Sequence, residues 1–149
     1  MSSMILTLPS GASVAVVRFS VREAVSTPFA LSLTAYSPDP SLPLAAILGG
    51  NATFHAVSGY AHAAGLGTRV WSGVVANAAQ TKAVNVGAGE KGLSTYEFEL
   101  VPRLWLLSRR RGYRVYQHLS IPDIVDKLLG EWHLPPTWRI DRAQYPKLE

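Results

Sequence analysis

The 149 residues match the size of one domain, and a hydrophobic fraction of 48% with only 16% charged residues argues against disorder. The chain has no cysteine, which excludes disulfide frameworks, thiolate catalysis and cysteine-rich zinc sites, and its net charge of +4 is too mild to indicate a nucleic-acid partner. There is no secretory signal and no run of roughly 20 apolar residues, so we expect synthesis in the cytoplasm and no stable membrane insertion.

Alternating apolar residues predict two strands in the first quarter of the chain. Val17, Phe19 and Val21 alternate with polar residues, which places these three side chains on a buried face. The next run alternates over residues 29–36 and has Pro28 at its start, where a missing amide donor is tolerated.

A break follows, because three prolines within residues 38–43 fix backbone angles and remove amide donors. After them, residues 44–48 precede two glycines and predict one short helical turn. Its buried face should consist of Leu44, Ile47 and Leu48.

The middle of the chain predicts a long antiparallel hairpin followed by another strand. Residues 52–60 and 69–80 form the two arms, joined by a loop of small residues at 62–67. Residues 93–101 resume the alternation after a polar, glycine-rich stretch. Parallel pairing would need more helical connections than the chain offers, so the predicted fold is mainly β with minor α, a closed or nearly closed antiparallel β-barrel.

The C-terminal third predicts one amphipathic helix that flanks the barrel. Ser120 is placed as the N-cap, Pro122 is tolerated in the first turn, and Asp123 lies near the positive helix end. Gly130 is a candidate stop. One face should carry the apolar side chains Ile121, Ile124, Val125, Leu128 and Leu129. Upstream, Trp105 stands between two leucines and is predicted to lie in the core.

No group of residues indicates catalysis, a cofactor or a metal. Residues 87–92 formally match the three-glycine dinucleotide fingerprint, but that motif opens a helix and the residues that follow here alternate as a strand. The histidines are not spaced for a compact zinc site, and no serine lies in a nucleophile elbow. We therefore expect a protein that is not an enzyme, with no cofactor-binding residue and no metal ligand.

The densest charge in the chain lies at Arg109, Arg110, Arg111 and Arg114, which are the candidate interface residues. One interpretation is a solvated turn whose arginines pair with Glu97 or Glu99. The other is an interface patch, because the planar guanidinium suits carboxylate recognition and recurs at binding hot spots. The two interpretations are compatible.

An ordered series of motifs resembles the N-terminal part of the VgrG family. The series occupies residues 26–33, 37–40, 44–49, 69–75, 96–100, 102–107 and 116–125. Its last segment, Tyr116-Gln117-His118-Leu119-Ser120-Ile121-Pro122-Asp123-Ile124-Val125, is the most specific. Ser72 stands where the family usually has a histidine, so no role that needs an imidazole carries over. The resemblance implies that residues 1–149 are a single domain, the first of two similar hub barrels. The chain would be truncated before the second barrel, the needle and any effector domain.

The resemblance also implies a function, because VgrG is the spike of the bacterial type VI secretion machine. We expect a structural part of the trimeric hub that seats on the Hcp tube and is exported with it to the extracellular space or a target cell. The expected partners are other VgrG subunits and Hcp, with a PAAR protein reached only through the missing needle. The alternatives are a tail-hub protein of a phage or related contractile particle, and a small β-barrel that binds a ligand or an oligonucleotide.

Overall fold

The computed structural model describes residues 3–57, 68–84 and 92–149, and its contacts divide into two compact units, Met1–Pro102 and Arg103–Glu149. The predicted loop at 62–67 and nearly all of the glycine-rich motif at 87–92 lie outside the described residues. The assignment of residues 1–149 to a single domain stays a prediction. None of the helices in the described ranges has the length and apolar character needed to cross a bilayer.

The first unit is a six-stranded antiparallel sheet with one short helix. Its elements are β1 (Ser3–Thr7), β2 (Ala15–Ala24), β3 (Thr27–Ser37), α1 (Leu44–Ile47), β4 (Asn51–Val57), β5 (Arg69–Lys82) and β6 (Ser94–Val101). The strand order is β1-β4-β5-β6-β3-β2, and the predicted long hairpin is β4 with β5. The edge strands β1 and β2 approach each other, so the sheet curls into a half-barrel. The predicted fold class, mainly β with an antiparallel barrel-like sheet, is confirmed.

The core lies on the inner face of the half-barrel, because apolar and polar side chains alternate along each strand. The register of β3 with β6 sets Leu31 opposite Leu100 and Leu33 opposite Phe98, and all four side chains are buried. This confirms the predicted faces of both strands. Other strands and the loops contribute Leu6, Leu8, Val16, Ile47, Phe54, Trp71 and Val75 to the same cluster.

A β-bulge in β2 changes which of its side chains face the core. The pairing with β3 shifts between Val16 and Arg18, so one residue is inserted and the alternation reverses. Val16 is therefore buried, whereas Val17 is 43% exposed. The prediction that Val17 faces the core was wrong for this reason. Val21, beyond the bulge, packs against the core as predicted. Phe19 is 38% exposed, although its ring contacts that of the buried Phe54, so its prediction holds only in part.

Strand β2 also reaches across the half-barrel to β4 and β5. The ring of Phe19 lies 5.1 Å from that of Phe54 and 6.2 Å from that of Trp71. Glu23, further along β2, accepts hydrogen bonds from Trp71 Nε1 at 2.9 Å and from Arg69 Nη2 at 2.7 Å. These two bonds, the one from Trp71 first, hold the pKa of Glu23 below its ordinary value. The contacts join strands that are not neighbours in the sheet.

Gly73 in β5 is required by a close approach to the end of β6. A Cβ atom at this position would lie 2.0 Å from the carbonyl oxygen of Val101 and 3.3 Å from Pro102 Cα. Both atoms belong to the backbone and cannot move aside as a flexible side chain would. The glycine of the motif at residues 69–75 therefore has a packing reason.

The helical turn predicted after the prolines is present as α1, with Ile47 fully buried and Leu44 packed against the core. Leu48, predicted on the same face, is exposed because it has left the helix and adopts an extended conformation. Gly49 follows with φ +74, a left-handed conformation that suits glycine. The helix therefore ends at Ile47, and the glycine lies in the turn directly after it.

The proline-rich loop before α1 is fastened by hydrogen bonds to side chains of the sheet. Tyr96 Oη donates to the carbonyl of Asp39 at 2.7 Å, and Gln80 Nε2 donates to the carbonyl of Pro40 at 2.8 Å and to Tyr96 Oη at 3.1 Å. Because proline has no amide hydrogen and an irregular loop has few internal partners, these side chains supply the bonds that hold its carbonyl groups.

The second unit contains a 3-10 segment (Arg103–Arg109), the helix α2 (Ile121–Gly130) and a short 3-10 turn (Arg142–Gln144). The predicted cap of α2 is confirmed. Ser120 Oγ accepts from the Asp123 amide at 3.3 Å, and the Asp123 carboxylate accepts from the Ser120 amide at 3.1 Å, which is a capping box. The helix ends at Gly130 as predicted.

Two apolar predictions for the second unit were wrong. Ile121 is 54% exposed, and it is the neighbouring Pro122 that is buried in the first turn of the helix. Trp105 is only half-buried in a 3-10 segment that contains no buried residue. The tryptophan in the core is Trp71, because its strand points it to the inner face of the half-barrel.

Candidate interface at the arginine-rich segment

The four predicted interface arginines lie at the end of the 3-10 segment and in the extended stretch after it. Arg109 ends the segment, and its guanidinium carbon lies 5.1 Å from the centre of the Trp105 ring. Arg110 and Arg114 both bind Glu131. Arg111 is exposed and takes part in none of the ion pairs that the described residues form. The structure thus brings two of the four arginines together on one carboxylate.

Glu131 holds the two arginines through different oxygen atoms. Arg110 Nη1 donates to Oε2 at 2.7 Å, and Arg114 Nη1 donates to Oε1. The hydrogen bond from Arg114 is the largest cause that lowers the pKa of Glu131, and the same bond raises the pKa of Arg114. Glu131 and Arg114 therefore carry their charges at neutral pH.

The position of Glu131 at the end of α2 explains why arginines gather there. The residue is the C-cap of the helix, where the peptide dipoles leave partial negative charge. An acidic side chain in this place is unfavourable unless a cation is close, and the two arginines supply it. Glu131 was not among the predicted site residues. An acid directly after the predicted stop at Gly130 was the available signal for a basic neighbour.

A groove of about 360 Å³ lies beside this ion-pair cluster. The cluster of Arg110, Arg114 and Glu131 forms its polar side. The remaining lining is largely apolar and includes Leu107, Tyr116, Leu128 and Trp132. We call this cavity the arginine groove. It combines cationic donors with aromatic and aliphatic walls, which is the composition of a protein-binding hot spot.

A second arginine site lies at the other end of α2 and has a structural role. Arg142 donates from Nη2 to Asp123 Oδ1 and from Nη1 to Asp126 Oδ2, both at 2.8 Å. The indole Nε1 of Trp138 donates to Asp126 Oδ1 at 2.6 Å. The hydrogen bonds from Ser120, followed by those from Arg142, hold the pKa of Asp123 below its ordinary value. Asp123 was predicted near the positive end of the helix, whereas Arg142 was not predicted as its partner.

The polar face of the sheet in the first unit is a further concave surface. A cavity of about 340 Å³ crosses β2, β3, β6 and β5, with Arg18, Thr34, Glu97 and Asn77 among its lining residues. Its charges are mixed and spread over several strands. Nowhere in the described ranges do three or more His, Asp or Glu side chains come together as a set of metal ligands.

Comparison with known protein families gives a match over most of the chain. The sequence profile of the phage tail baseplate hub (GPD) family matches residues 22–149. Type VI secretion system spike protein VgrG1b of Pseudomonas aeruginosa is 33% identical over 118 residues, which cover 76% of this chain and 14% of the relative. VgrG4b of the same organism is 34% identical over 116 residues, which cover 78% of this chain and 13% of the relative.

Comparison with solved structures gives a matching fold. The Escherichia coli c3393 protein has a TM-score of 0.71 and 25% sequence identity to this chain. The superposition covers 97% of this chain and 37% of that protein. The c3393 protein is described as a component of the type VI secretion system with structural similarity to the T4 bacteriophage tail proteins gp27 and gp5. The chain therefore spans well under half of the proteins that it resembles.

Proposed function

The chain belongs to the phage tail baseplate hub (GPD) family, and on this premise we propose that it builds part of the trimeric hub of a type VI secretion spike. The hub seats on the Hcp tube and is expelled with it when the surrounding sheath contracts. The observation that carries this proposal is the family match over residues 22–149, which includes most of the half-barrel and all of the capped helix.

The proposed role is passive and depends on shape and stiffness. The half-barrel suits it, because its core side chains are almost completely buried and its non-neighbouring strands are joined through Glu23, Arg69 and Trp71. A module of this kind keeps its geometry while force passes through it. The role needs no reactive residue, and we therefore propose a structural protein and not an enzyme.

The proposed partners are other subunits of the same spike and the Hcp tube, with a PAAR protein contacted only through a needle that lies outside these 149 residues. Arg109, Arg110, Arg111 and Arg114 are the proposed contact residues on this chain. The similarity to type VI spike proteins supports synthesis in the bacterial cytoplasm and export by the type VI machine.

A tail-hub role in a phage or related contractile particle is the second candidate function. The family takes its description from phage baseplates, and the solved c3393 structure is described as similar to T4 phage tail proteins. In this role the same module would cap a phage tail tube. The two candidates share the hub and differ in the tube that the hub binds.

The test is the assembly state of the protein expressed from its complete reading frame. Light scattering after size-exclusion chromatography should give the mass of three subunits, and the trimers should sediment with Hcp tubes. A monomer that ignores Hcp would contradict the proposal. A trimer that binds tail tubes of a related phage and not Hcp would favour the second candidate.

A matched pair of arginine variants separates an interface effect from an effect on folding. Arg111 and Arg22 are both exposed, and neither takes part in an ion pair formed by the described residues. Arg111→Gln should weaken sedimentation with Hcp or subunit association while the melting temperature stays unchanged. Arg22→Gln should change neither measurement. Equal behaviour of the two variants would remove Arg111 from the interface.

A further inference from the structure

We infer that the arginine groove of the second unit binds an acidic segment of a partner polypeptide, which inserts an apolar side chain between Tyr116 and Trp132 while its carboxylates bind the arginines. The inference deepens the proposed function and rests on it in one respect, that the partner is another polypeptide of the assembled particle. It goes beyond that function because it defines the chemistry of the partner.

The walls of the groove indicate an apolar anchor. Leu107, Leu128 and the rings of Tyr116 and Trp132 line a volume of about 360 Å³, which is large enough for a leucine-sized or aromatic side chain. Tryptophan and tyrosine are the residues most enriched at the energetic centre of protein interfaces. A small inorganic anion would leave these walls without a contact, so the lining favours a polypeptide.

The segment that borders the groove carries further exposed apolar surface. Gly112, Arg114 and Tyr116 line the groove at alternate positions, whereas Tyr113 and Val115 between them are almost completely exposed. An extended stretch with this pattern presents a large aromatic and a branched side chain to solvent next to the cavity. Contiguous exposed apolar groups rimmed by charge mark a site of protein interaction.

The charges around the groove indicate that the partner is acidic. Two arginines, Arg110 and Arg114, line it against one carboxylate, Glu131, and the adjoining Arg109 and Arg111 are exposed. The charge at the mouth is therefore positive. This positive charge would repel a basic segment and attract a segment that carries glutamate or aspartate.

The ion pair with Glu131 leaves the arginines able to bind a second carboxylate. Arg110 uses Nη1 for Glu131, and a guanidinium carries five N–H donors in a planar fork. Its side chain is about half exposed, so donors face solvent. Glu131 then orients the guanidinium groups before the partner arrives, which lowers the entropy lost on binding.

The test measures binding of short fluorescent peptides to the 149-residue protein by anisotropy. The probe alternates glutamate with leucine, one control replaces the glutamates by glutamine, and another replaces the leucines by serine. The probe should bind at low salt and weaken as salt rises, and both controls should bind at least about fivefold more weakly. Equal binding of the glutamate and glutamine peptides would overturn the inference.

Variants and spectra place the binding on this groove. Arg110→Gln should weaken the probe about fivefold, whereas Arg18→Gln, an exposed arginine of β2, should leave the affinity unchanged. In nitrogen–proton spectra of the wild-type protein the probe should shift the Trp132 indole signal and leave that of Trp71 in place. A Trp132 signal that does not move would overturn the inference even if Arg110→Gln fails to fold.

Two outcomes separate this inference from the proposed hub function. If the protein forms trimers that bind Hcp but does not bind the acidic peptide, the hub function stands and the groove is not a binding site. If the protein binds the peptide but forms no trimer, the groove stands as a binding site and the hub function is contradicted. A single-stranded oligonucleotide that binds more tightly than the peptide would contradict an acidic polypeptide as the partner.

Discussion

The two units of the chain are stabilised in different ways. Met1–Pro102 buries large apolar side chains, among them Leu31, Phe54 and Leu100, which are completely inaccessible to solvent. In Arg103–Glu149 the apolar face of the helix is only half-buried. Pro122 is the one residue of this unit among the large side chains that are completely buried. Its described contacts are ion pairs, a capping box and rings beside cations. Burial holds the first unit, and polar contacts near the surface contribute much of what orders the second.

This difference has a consequence for function. Salt does not screen the burial of apolar surface, whereas it weakens partly exposed ion pairs, which are also weakened when a carboxylate loses its charge. On the proposed function, the half-barrel is therefore the part suited to carry force in the particle. The second unit, whose arginines and aromatic rings reach the surface, is suited to bind and release a partner.

The largest expected effect is the loss of a core ring in the first unit. Phe54→Ala should lower the free energy of unfolding by about 3–5 kcal/mol, because Phe54 is completely buried between the rings of Phe19 and Trp71. Leu128→Ala, on the half-buried face of α2, should cost only about 1 kcal/mol. Urea denaturation followed by circular dichroism measures both. Equal costs would show that the second unit has a core as dense as the first.

The next effect concerns two glycines, one in each unit. Gly73→Ala should destabilise the protein by about 1–3 kcal/mol, because the added methyl group would lie 2.0 Å from the carbonyl oxygen of Val101. Gly130→Ala is the matched control. No atom lies within 4 Å of a methyl group there, and alanine has the higher helix propensity. This variant should be neutral or slightly stabilising in the same urea titration. A large loss of stability in Gly130→Ala would contradict the expected difference between the two glycines.

Much of the first unit could be predicted from the sequence. Apolar and polar residues alternate along a half-buried strand, and this alternation shows which side chains face the core. The faces of β3 and β6, the long hairpin and α1 follow from local pattern and turn residues. Val17 could not be predicted, since a bulge depends on the pairing with another strand. Gly73 likewise depends on how closely the end of β6 approaches, and the sequence of β5 alone does not contain that distance.

The third prediction concerns the cap of α2. Ser120→Ala should destabilise the second unit by about 1 kcal/mol, because it removes the side chain that accepts from the Asp123 amide. Ser32→Ala, at an exposed position of β3, should change stability by less than about 0.5 kcal/mol. Hydrogen exchange should show faster exchange confined to the amides of α2. Faster exchange across the half-barrel would contradict separate sources of stability for the two units.

The candidate site was predictable in part, and the reason lies in the range of its contacts. The capping box joins residues three apart, so the sequence shows it directly. The four arginines were visible as charge, but the ion pairs of Arg110 and Arg114 span 21 and 17 residues to Glu131. Their partner is set by where α2 ends and how the chain returns. Trp105 was assigned to the core from its apolar neighbours, yet a 3-10 segment does not bury one continuous face.

The smallest expected effect is a difference in the response of the two units to acid. Asp123 and Glu131 have pKa values held below their ordinary values by Ser120 and by Arg114, respectively. A depressed folded pKa contributes stability above the unfolded value, near pH 4, and this contribution is lost as the pH falls through the folded pKa. The second unit should therefore loosen between about pH 4 and the lower folded pKa values of these carboxyl groups.

The indole signals of two tryptophans measure this response in one spectrum. Trp138 donates to Asp126 in the second unit and Trp71 donates to Glu23 in the first, so both report a bond to a carboxylate. The pKa of Glu23 is also lowered. Trp71, however, is only 5% exposed, and its packing in the core holds it in place. On acidification the Trp138 signal should broaden first. Simultaneous loss of both signals would mean that the two units unfold as one.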